Sequence, residues 1–153
     1  MTPDELFMKA ALKEAQKASE EGEVPIGCVI VKDGKIIARG RNAREKKKNA
    51  ILHAEMIAID KACKKLGGWR LWQCDLYVTL EPCPMCAGAI VNARIPRVVY
   101  GAKDANGGAF DSVLNLRSYP LCSKPTVIGG VLENECSALL TAFFEKKRKK
   151  LKK

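Results

Sequence analysis

Two short motifs constrain this chain most: HAE at residues 53–55 and PCPMC at residues 82–86. Cys83 and Cys86 are three residues apart at the start of an apolar run, so on a helix both thiols project from the first turn on one face. The partial positive charge at a helix start stabilises a thiolate. One imidazole and two thiolates are ligands that zinc prefers. The chain is therefore predicted to fold so that two helix starts, at His53 and at Cys83, meet at one Zn²⁺.

The same motifs indicate what the metal does. Three protein ligands leave a fourth tetrahedral position for water, which is typical of a catalytic zinc. Zinc lowers the pKa of bound water to about 7, and the neighbouring carboxyl of Glu55 can take a proton from that water and deliver it to a leaving amine. The motifs predict hydrolytic deamination with Glu55 as the proton carrier. Glu81 also lies beside the cysteines, but it ends a predicted strand, and we expect a structural role for it.

Further segments match a known family. They are GEVPIG at 22–27, RN at 41–42, WRL at 69–71, LYVTLEPCPMCAGA at 76–89, RVVYGA at 97–102, GVLE at 130–133 and FF at 143–144. With the zinc motifs, these segments resemble the zinc-dependent nucleoside and nucleobase deaminases, and among them the bacterial tRNA-specific adenosine deaminases. The zinc motifs alone would indicate only the wider superfamily.

The resemblance implies a fold, a reaction and partners. The implied fold is a three-layer α/β/α cytidine-deaminase-like fold, with a mixed five-stranded sheet flanked by helices. The implied reaction converts the wobble adenosine of a tRNA anticodon to inosine, by attack of zinc-activated hydroxide on C6 of a base flipped into the site. One Zn²⁺ per subunit, an anticodon stem-loop as substrate and a homodimer are implied as well.

The resemblance also implies residues of a base pocket. Asn42 would hydrogen-bond the target base, although its position also suits a turn residue that closes the second strand. Val24, Pro25 and Ile26 would form an apolar wall against the purine, although packing at the start of a strand would explain the same residues. The backbone amide of Ala54 would lie near the zinc-bound oxygen.

Contacts outside the pocket are implied in the same way. Asp104 would contact RNA or close a local turn. Phe143, Phe144 and Arg148 would meet the flanking nucleotides, the two rings by stacking on bases. One of the two rings could equally belong to the core. The chain departs from the family pattern at Ile51, Leu52, Asn106, Cys122 and Ser123.

Positive charge is concentrated in two segments. The net charge is +10, and residues 145–153 alone contribute +6, from seven basic groups and one acid. A second basic segment covers residues 39–48. Lysine and arginine near phosphates gain affinity by releasing counterions, so both segments favour binding to a polyanion, although a solvated tail and a solvated face remain alternatives.

The domain organisation is predicted to be simple: one deaminase domain over residues 1–144 and a basic tail over residues 145–153. The start of the chain is acidic, and no stretch of about 18 apolar residues occurs. We therefore expect a cytoplasmic protein without a membrane anchor, whose cysteines are thiols or metal ligands.

Cap residues, turn residues and the spacing of apolar residues predict the helices and strands. A helix should run from Thr2, as N-cap, to Gly22, and strands 26–31 and 36–39 should join at Asp33-Gly34. Helix 53–65 should direct Met56, Ile57 and Ile59 toward a core. The remaining predictions are strand 75–80, a helix from Cys83, strand 98–101, a short helix 112–116, strand 126–128 and a helix 135–150.

Two other functions share parts of this pattern. A deaminase of free guanine, cytosine or a nucleoside would have the same metal site but would not need a basic surface. A non-catalytic zinc-stabilised RNA-binding module would need a fourth protein ligand and would not need Glu55. His53 is the only histidine, and no further cysteine has motif spacing, which argues against the second alternative.

Overall fold

The structure, a computed structural model, describes residues 1–151. Its elements are α1 Pro3–Glu20, β1 Gly27–Lys32, β2 Lys35–Arg41, α2 Arg44–Lys47, α3 Ala54–Leu66, β3 Cys74–Leu80, α4 Pro84–Asn92, β4 Arg97–Ala102, a 3₁₀ turn Leu116–Ser118, β5 Thr126–Ile128 and α5 Glu133–Leu151. Helices and strands thus occur in the order that the sequence predicts, with the short helix α2 as an addition.

Local signals account for the start of the chain. Thr2 caps α1 by accepting a hydrogen bond from the N–H of Glu5, and the Glu5 carboxylate accepts one from the N–H of Thr2. This reciprocal pair satisfies two of the donors that a helix start leaves without partners. Asp33 and Gly34 both have positive φ, 52° and 73°, as a two-residue hairpin turn requires. The predicted helix and hairpin are confirmed.

The sheet has the order β2-β1-β3-β4-β5. β1 is antiparallel to both of its neighbours, whereas β3, β4 and β5 are parallel to one another. All strands except β1 therefore point the same way, and their carboxyl ends lie at one edge of the sheet. The mixed five-stranded sheet is confirmed.

Helices cover both faces of the sheet. On one face α1 and α5 cover a cluster that includes Met8, Val29, Tyr77 and Cys136. On the other face α3 and α4 cover a larger cluster built on alternate residues of the same strands, such as Ile30 and Val78. This arrangement is the predicted three-layer architecture. None of the helices within residues 1–151 is long and apolar enough to cross a membrane.

The core face of α3 differs from the prediction. Its buried residues are Ala54, Glu55, Ala58 and Ala62, whereas Met56 and Ile57 are only half-buried. The prediction that these larger side chains face the core was wrong, although Ile59 does pack against the core cluster. The reason is proximity: a Cβ on Gly40 of β2 would lie 2.3 Å from the carbonyl oxygen of Ala54. At that separation only small side chains fit between helix and sheet.

The predicted helix at 112–116 was also wrong. Residues 110–113 form turns, and the nearest helical segment is the 3₁₀ turn at Leu116–Ser118. The backbone N–H groups of Phe110, Asp111 and Ser112 donate to the Glu81 carboxylate. Beyond them, the N–H groups of Val113 and Leu114 donate to the carbonyl of Gly108, and that of Leu116 donates to the carbonyl of Ala109 instead of that of Ser112, so no helical turn closes over 112–116.

The basic segment at the end of the chain continues α5. Residues 145–151 are helical and exposed, while Lys152 and Lys153 lie outside the described residues. The division of this chain into a deaminase domain over 1–144 and a basic tail over 145–153 stays a prediction. Within residues 145–151, the positive charges are carried by a helix that continues from the globular part of the protein.

Candidate metal centre

Two helix starts bring the predicted ligands together. His53 is the N-cap of α3, Cys83 is the N-cap of α4, and Cys86 follows in the first turn of α4. Both N-cap residues have extended backbone, with ψ of 156° and 172°, and neither side chain caps its helix. Since the side chains of His53 and Cys83 are not used for capping, they are available to a metal.

The distances fit zinc. Nδ1 of His53 lies 3.6 Å from Sγ of Cys83 and 3.6 Å from Sγ of Cys86, and all three donor atoms lie within 4.8 Å of one another. A tetrahedral zinc with Zn–N of about 2.0–2.1 Å and Zn–S of about 2.3 Å would place nitrogen and sulfur about 3.6 Å apart. Within residues 1–151 this is the one cluster of three or more such side chains that could hold a metal.

Electrostatics favour a thiolate in this cluster. A hydrogen bond from the Cys86 thiol, together with one from His53, lowers the pKa of Cys83 to about 4. The same hydrogen bond and burial raise the pKa of Cys86, so that the pair shares one negative charge. The hydrogen bond to Cys83 raises the pKa of His53. Metal ligands must be deprotonated, and binding of zinc releases protons from the thiols and the imidazole. A cluster that already holds one thiolate is therefore a suitable donor set for zinc.

Glu55 lies in the first turn of α3 and is 3% exposed. Burial, with a contribution from the negative charge of Cys83, raises the pKa of its carboxyl to about 7. Such a group can both accept and deliver a proton near neutral pH. Glu55 and two of the ligands, His53 and Cys83, line one cavity.

This cavity has a volume of about 170 Å³, which is smaller than the roughly 300–1,000 Å³ of pockets for drug-sized ligands. Its lining comes from the segment before β1, from the ends of β2, β3 and β4, and from the starts of α2, α3 and α4. The lining residues are Val24, Ile26, Asn42, Arg44, His53, Glu55, Leu80, Glu81, Cys83 and Asp104. Of the segment Val24-Pro25-Ile26, Val24 and Ile26 line the cavity, whereas Pro25 is buried and does not. Packing of this segment against a purine stays a prediction.

The position of Asn42 is compatible with both of its predicted roles. It directly follows β2, it is 3% exposed, and it lines the cavity. Its Oδ1 accepts a hydrogen bond of 2.9 Å from the backbone N–H of Ala54. The amide of Ala54 is thus used within the protein, and its role toward a zinc-bound oxygen stays a prediction, as does base binding by Asn42.

Asp104 likewise lines the cavity and closes a local turn. Its Oδ1 accepts a hydrogen bond of 3.1 Å from the N–H of Asn106. Both interpretations of this residue, a local turn and an RNA contact, are compatible with that position.

Glu81 has the structural role that we expected. Its carboxylate is 2% exposed and accepts hydrogen bonds from the backbone N–H groups of Asp104, Phe110, Asp111 and Ser112 and from the Ser112 hydroxyl. These bonds lower its pKa against the effect of burial. Glu81 therefore anchors the loop that carries Asp104 beside the segment that carries Cys83.

The aromatic pair of α5 lies on a separate surface. The rings of Phe143 and Phe144 meet edge to face at 5.3 Å, and Phe144 is 40% exposed. The Lys147 ammonium lies 6.0 Å from the centroid of the Phe143 ring. A cavity of about 550 Å³ opens between α1 and α5, lined by Gln16, Ser19, Gly22, Leu139, Ala142, Phe143, Lys146, Lys147 and Lys150. Arg148 is exposed on the same helix.

Two lining residues of the metal cavity, Arg44 and Leu80, were not predicted as such. Arg44 belongs to the basic segment that the sequence singled out, and Leu80 precedes Glu81 in the LEPC run. The sequence marks these two residues only by their nearness along the chain to other site residues, Arg44 to Asn42 and Leu80 to Cys83.

Comparisons with known proteins agree with this geometry. The family described as "Cytidine and deoxycytidylate deaminase zinc-binding region" matches residues 1–102. The tRNA-specific adenosine deaminase of Bacillus subtilis (strain 168) is 56% identical over 153 residues, which cover 99% of this chain and 95% of that protein. The protein of the same name from Streptococcus pyogenes serotype M1 is 49% identical, with 95% of this chain and 86% of that protein covered.

A solved structure is also similar. It comes from work on A-to-I editing by tRNA:A34 deaminases at the wobble position of transfer RNA, and it superimposes with a TM-score of 0.85 at 48% identity. The match covers 88% of this chain and 98% of the other. Similarity in sequence and in fold therefore extends well beyond the zinc motifs.

Proposed function

This chain belongs to the cytidine and deoxycytidylate deaminase family, and from that premise we propose that it deaminates adenosine to inosine at the wobble position of a tRNA anticodon. The observation that carries the proposal is the convergence of His53, Cys83 and Cys86 with the buried carboxyl of Glu55 at one small cavity. The high identity to tRNA-specific adenosine deaminases over nearly the whole chain supports the choice of substrate.

The residues divide the reaction among them. His53, Cys83 and Cys86 hold Zn²⁺, which when bound lowers the pKa of water to about 7 and so supplies the nucleophile for C6. Glu55 accepts a proton from the attacking water and delivers it to the leaving amine. Water and adenosine are consumed, and inosine and ammonia are released. Val24 and Ile26 pack against the purine, and Asn42 orients it by hydrogen bonding.

The substrate has to present one base to a recessed site. A base stacked in a helix cannot reach this cavity, whereas a base in a loop can be flipped out at low cost. Residues 39–48 and the exposed end of α5 carry basic side chains that can contact phosphates, and Phe144 offers an exposed ring for stacking. These features support an anticodon stem-loop as the unit that binds.

Two further properties belong to the proposal. A homodimer follows from the family resemblance, and light scattering coupled to size-exclusion chromatography measures it directly. A cytoplasmic location is supported by the substrate, because tRNA modification requires access to the tRNA pool.

The test is inosine formation, measured by mass spectrometry of nucleosides. The zinc-loaded protein is incubated with an anticodon stem-loop bearing a wobble adenosine, and in parallel with free adenosine, guanine and cytidine. We expect inosine only in the RNA. Deamination of a free base or nucleoside alone would retain the metal chemistry and overturn the proposed substrate.

A Glu55→Gln variant separates catalysis from metal binding. It keeps the size of the side chain and removes the proton carrier, so we expect loss of at least about 100-fold in turnover with one Zn²⁺ per subunit retained by atomic absorption. An active Glu55→Gln protein would contradict the role of Glu55, and an inactive wild type that still binds the stem-loop would favour the non-catalytic RNA-binding module.

A further inference from the structure

Besides Glu55 and Glu81, a third buried acid lies close to the metal cavity. Glu23 stands between the end of α1 and the start of β1, directly before the lining residue Val24, and is 2% exposed. Its Oε1 accepts a hydrogen bond of 3.1 Å from the N–H of Glu45, and its Oε2 accepts one of 2.7 Å from the N–H of Lys46. Both oxygens of this carboxylate therefore bind backbone donors in the first turn of α2.

The helix α2 cannot supply these acceptors itself. It has four residues, and its N-cap, Ala43, has no side-chain acceptor. With φ of −141° and ψ of 27°, Ala43 is also outside the extended conformation that a capping residue usually adopts. A single helical turn is unfavourable alone, because several dihedral angles are fixed for very few hydrogen bonds. The carboxylate of Glu23 supplies, from outside the helix, the hydrogen-bond acceptor that the side chain of Ala43 lacks.

The residue that this turn presents is Arg44. It begins α2, it is exposed, and it lines the metal cavity. Its basic neighbours Arg41 and Lys46 form ion pairs with Glu21. Within residues 1–151 Arg44 has no ion pair, so its charge is available to a ligand at the mouth of the cavity.

We propose that Arg44 binds the phosphodiester of the nucleotide whose base enters the metal cavity, and that Glu23 is the positioning residue that holds Arg44 there. The inference rests on the proposed function, because it concerns how that site distinguishes a polynucleotide from a free nucleoside. A flipped nucleotide leaves its phosphates at the pocket mouth, and a guanidinium matches two phosphate oxygens at once. Glu23 acts on Arg44 through the backbone of α2: its hydrogen bonds fix the helical turn that begins with Arg44.

The test is a double-mutant cycle on the wobble-adenosine stem-loop. Arg44→Ala should raise KM by about tenfold with kcat within about twofold, since a phosphate contact is present in both ground state and transition state. Glu23→Gln keeps one acceptor and loses the other, so it should raise KM in the wild-type background. In the Arg44→Ala background it should have no further effect on KM, because it acts through Arg44.

Salt dependence gives a second signature. Loss of one phosphate contact should reduce the slope of log KM against log salt concentration by about 0.7–0.9, for Arg44→Ala and in part for Glu23→Gln. The matched control is Lys64→Ala in the last turn of α3, which also removes a positive charge, but one that is paired with Asp60 and lies outside both basic segments. We expect it to leave KM within about twofold of the wild-type value.

The outcomes are distinct. An inactive wild-type protein would count against the proposed function. An active wild type in which Glu23→Gln raises KM equally in both backgrounds, or in which Arg44→Ala leaves the salt slope unchanged, would overturn this inference alone. If Glu23→Gln does not fold, Glu23→Asp, which keeps the charge on a shorter side chain, takes its place in the same cycle.

Discussion

Asn42 connects the metal cavity with the backbone that positions a ligand. Its Oδ1 accepts the hydrogen bond from Ala54, which is the first residue of α3 and directly follows His53. Both partners are buried, so the bond is shielded from water. Removing the acceptor leaves a buried N–H without a partner, which costs about 1–3 kcal/mol.

We therefore predict that Asn42→Ala lowers the free energy of unfolding by about 1–3 kcal/mol and also reduces inosine formation. Urea denaturation measures the first effect, and the stem-loop assay measures the second. The control is Asn49→Ala, in an exposed residue whose Oδ1 accepts a hydrogen bond from the N–H of Ile51. That variant should stay within about 0.5 kcal/mol of the wild type; equal losses in the two variants would refute the special role of the Asn42 bond.

At this scale, sequence spacing predicts the residues whose partners are a metal ion. His53, Cys83, Cys86 and Glu55 were identifiable because zinc fixes the type and spacing of its ligands. Glu23 was not, because its partners are the backbone N–H groups of Glu45 and Lys46. Any residue except proline offers such a group, so no residue type in the sequence marks the contact.

Among the elements, α3 depends most closely on its contact with the sheet. Gly40 of β2 faces Ala54 and Ala58, and a Cβ there would lie 2.3 Å from the Ala54 carbonyl and 2.8 Å from the Ala58 nitrogen. Backbone atoms cannot move aside as the end of a flexible side chain can. A methyl group at position 40 would push away the helix whose N-cap is His53.

We predict that Gly40→Ala destabilises the protein by about 1–3 kcal/mol or more, as overpacking does, and weakens retention of zinc. Gly88→Ala in α4 is the matched change, because a Cβ there meets nothing within 4 Å. Alanine favours a helix over glycine by roughly 0.5–1 kcal/mol, so this variant should be as stable as the wild type or more stable. Thermal unfolding and zinc content of both proteins check the prediction, and a stable Gly40→Ala protein with full zinc would contradict it.

The elements themselves were largely predictable, and the exceptions have physical causes. Thr2 and the Asp33-Gly34 turn are local signals, and the structure confirms both. The face of α3 was mispredicted because apolar patterns favour Met56 and Ile57 by size, whereas close approach to β2 selects alanine. The segment 112–116 was mispredicted because the N–H groups of Val113, Leu114 and Leu116 donate to carbonyls of Gly108 and Ala109, in a loop that Glu81 holds from a position remote in sequence.

In the molecule as a whole, the common direction of three strands brings residues of the site together. β2, β3 and β4 end at the same edge of the sheet, followed by Asn42, Glu81 and Asp104 respectively. The strand order was not predicted, since periodicity predicts strands but not their neighbours, and the family resemblance implied only a mixed five-stranded sheet. The metal then links α3 to α4, two helices that cover the same face.

Zinc should therefore contribute to the stability of the whole fold. We predict that a chelator lowers both the melting temperature and the free energy of unfolding, by about 2.7 kcal/mol or more if free zinc had stood at 100 times its dissociation constant. Cys86→Ser should resemble the chelated wild type, and a chelator should change it little further. Calorimetry with and without chelator checks this, and equal melting temperatures for the zinc-loaded and metal-free wild type would contradict it.

The N-cap positions of α3 and α4 give up helix capping for metal binding. His53 and Cys83 stand where serine, threonine, aspartate or asparagine would cap a helix, typically with a gain of about 1 kcal/mol, and neither side chain forms a capping bond. A capping residue at either position would remove a zinc ligand, and with it the larger stabilisation that bound zinc supplies. The metal-free chain has neither the caps nor the metal, so its stability has to come from the rest of the fold.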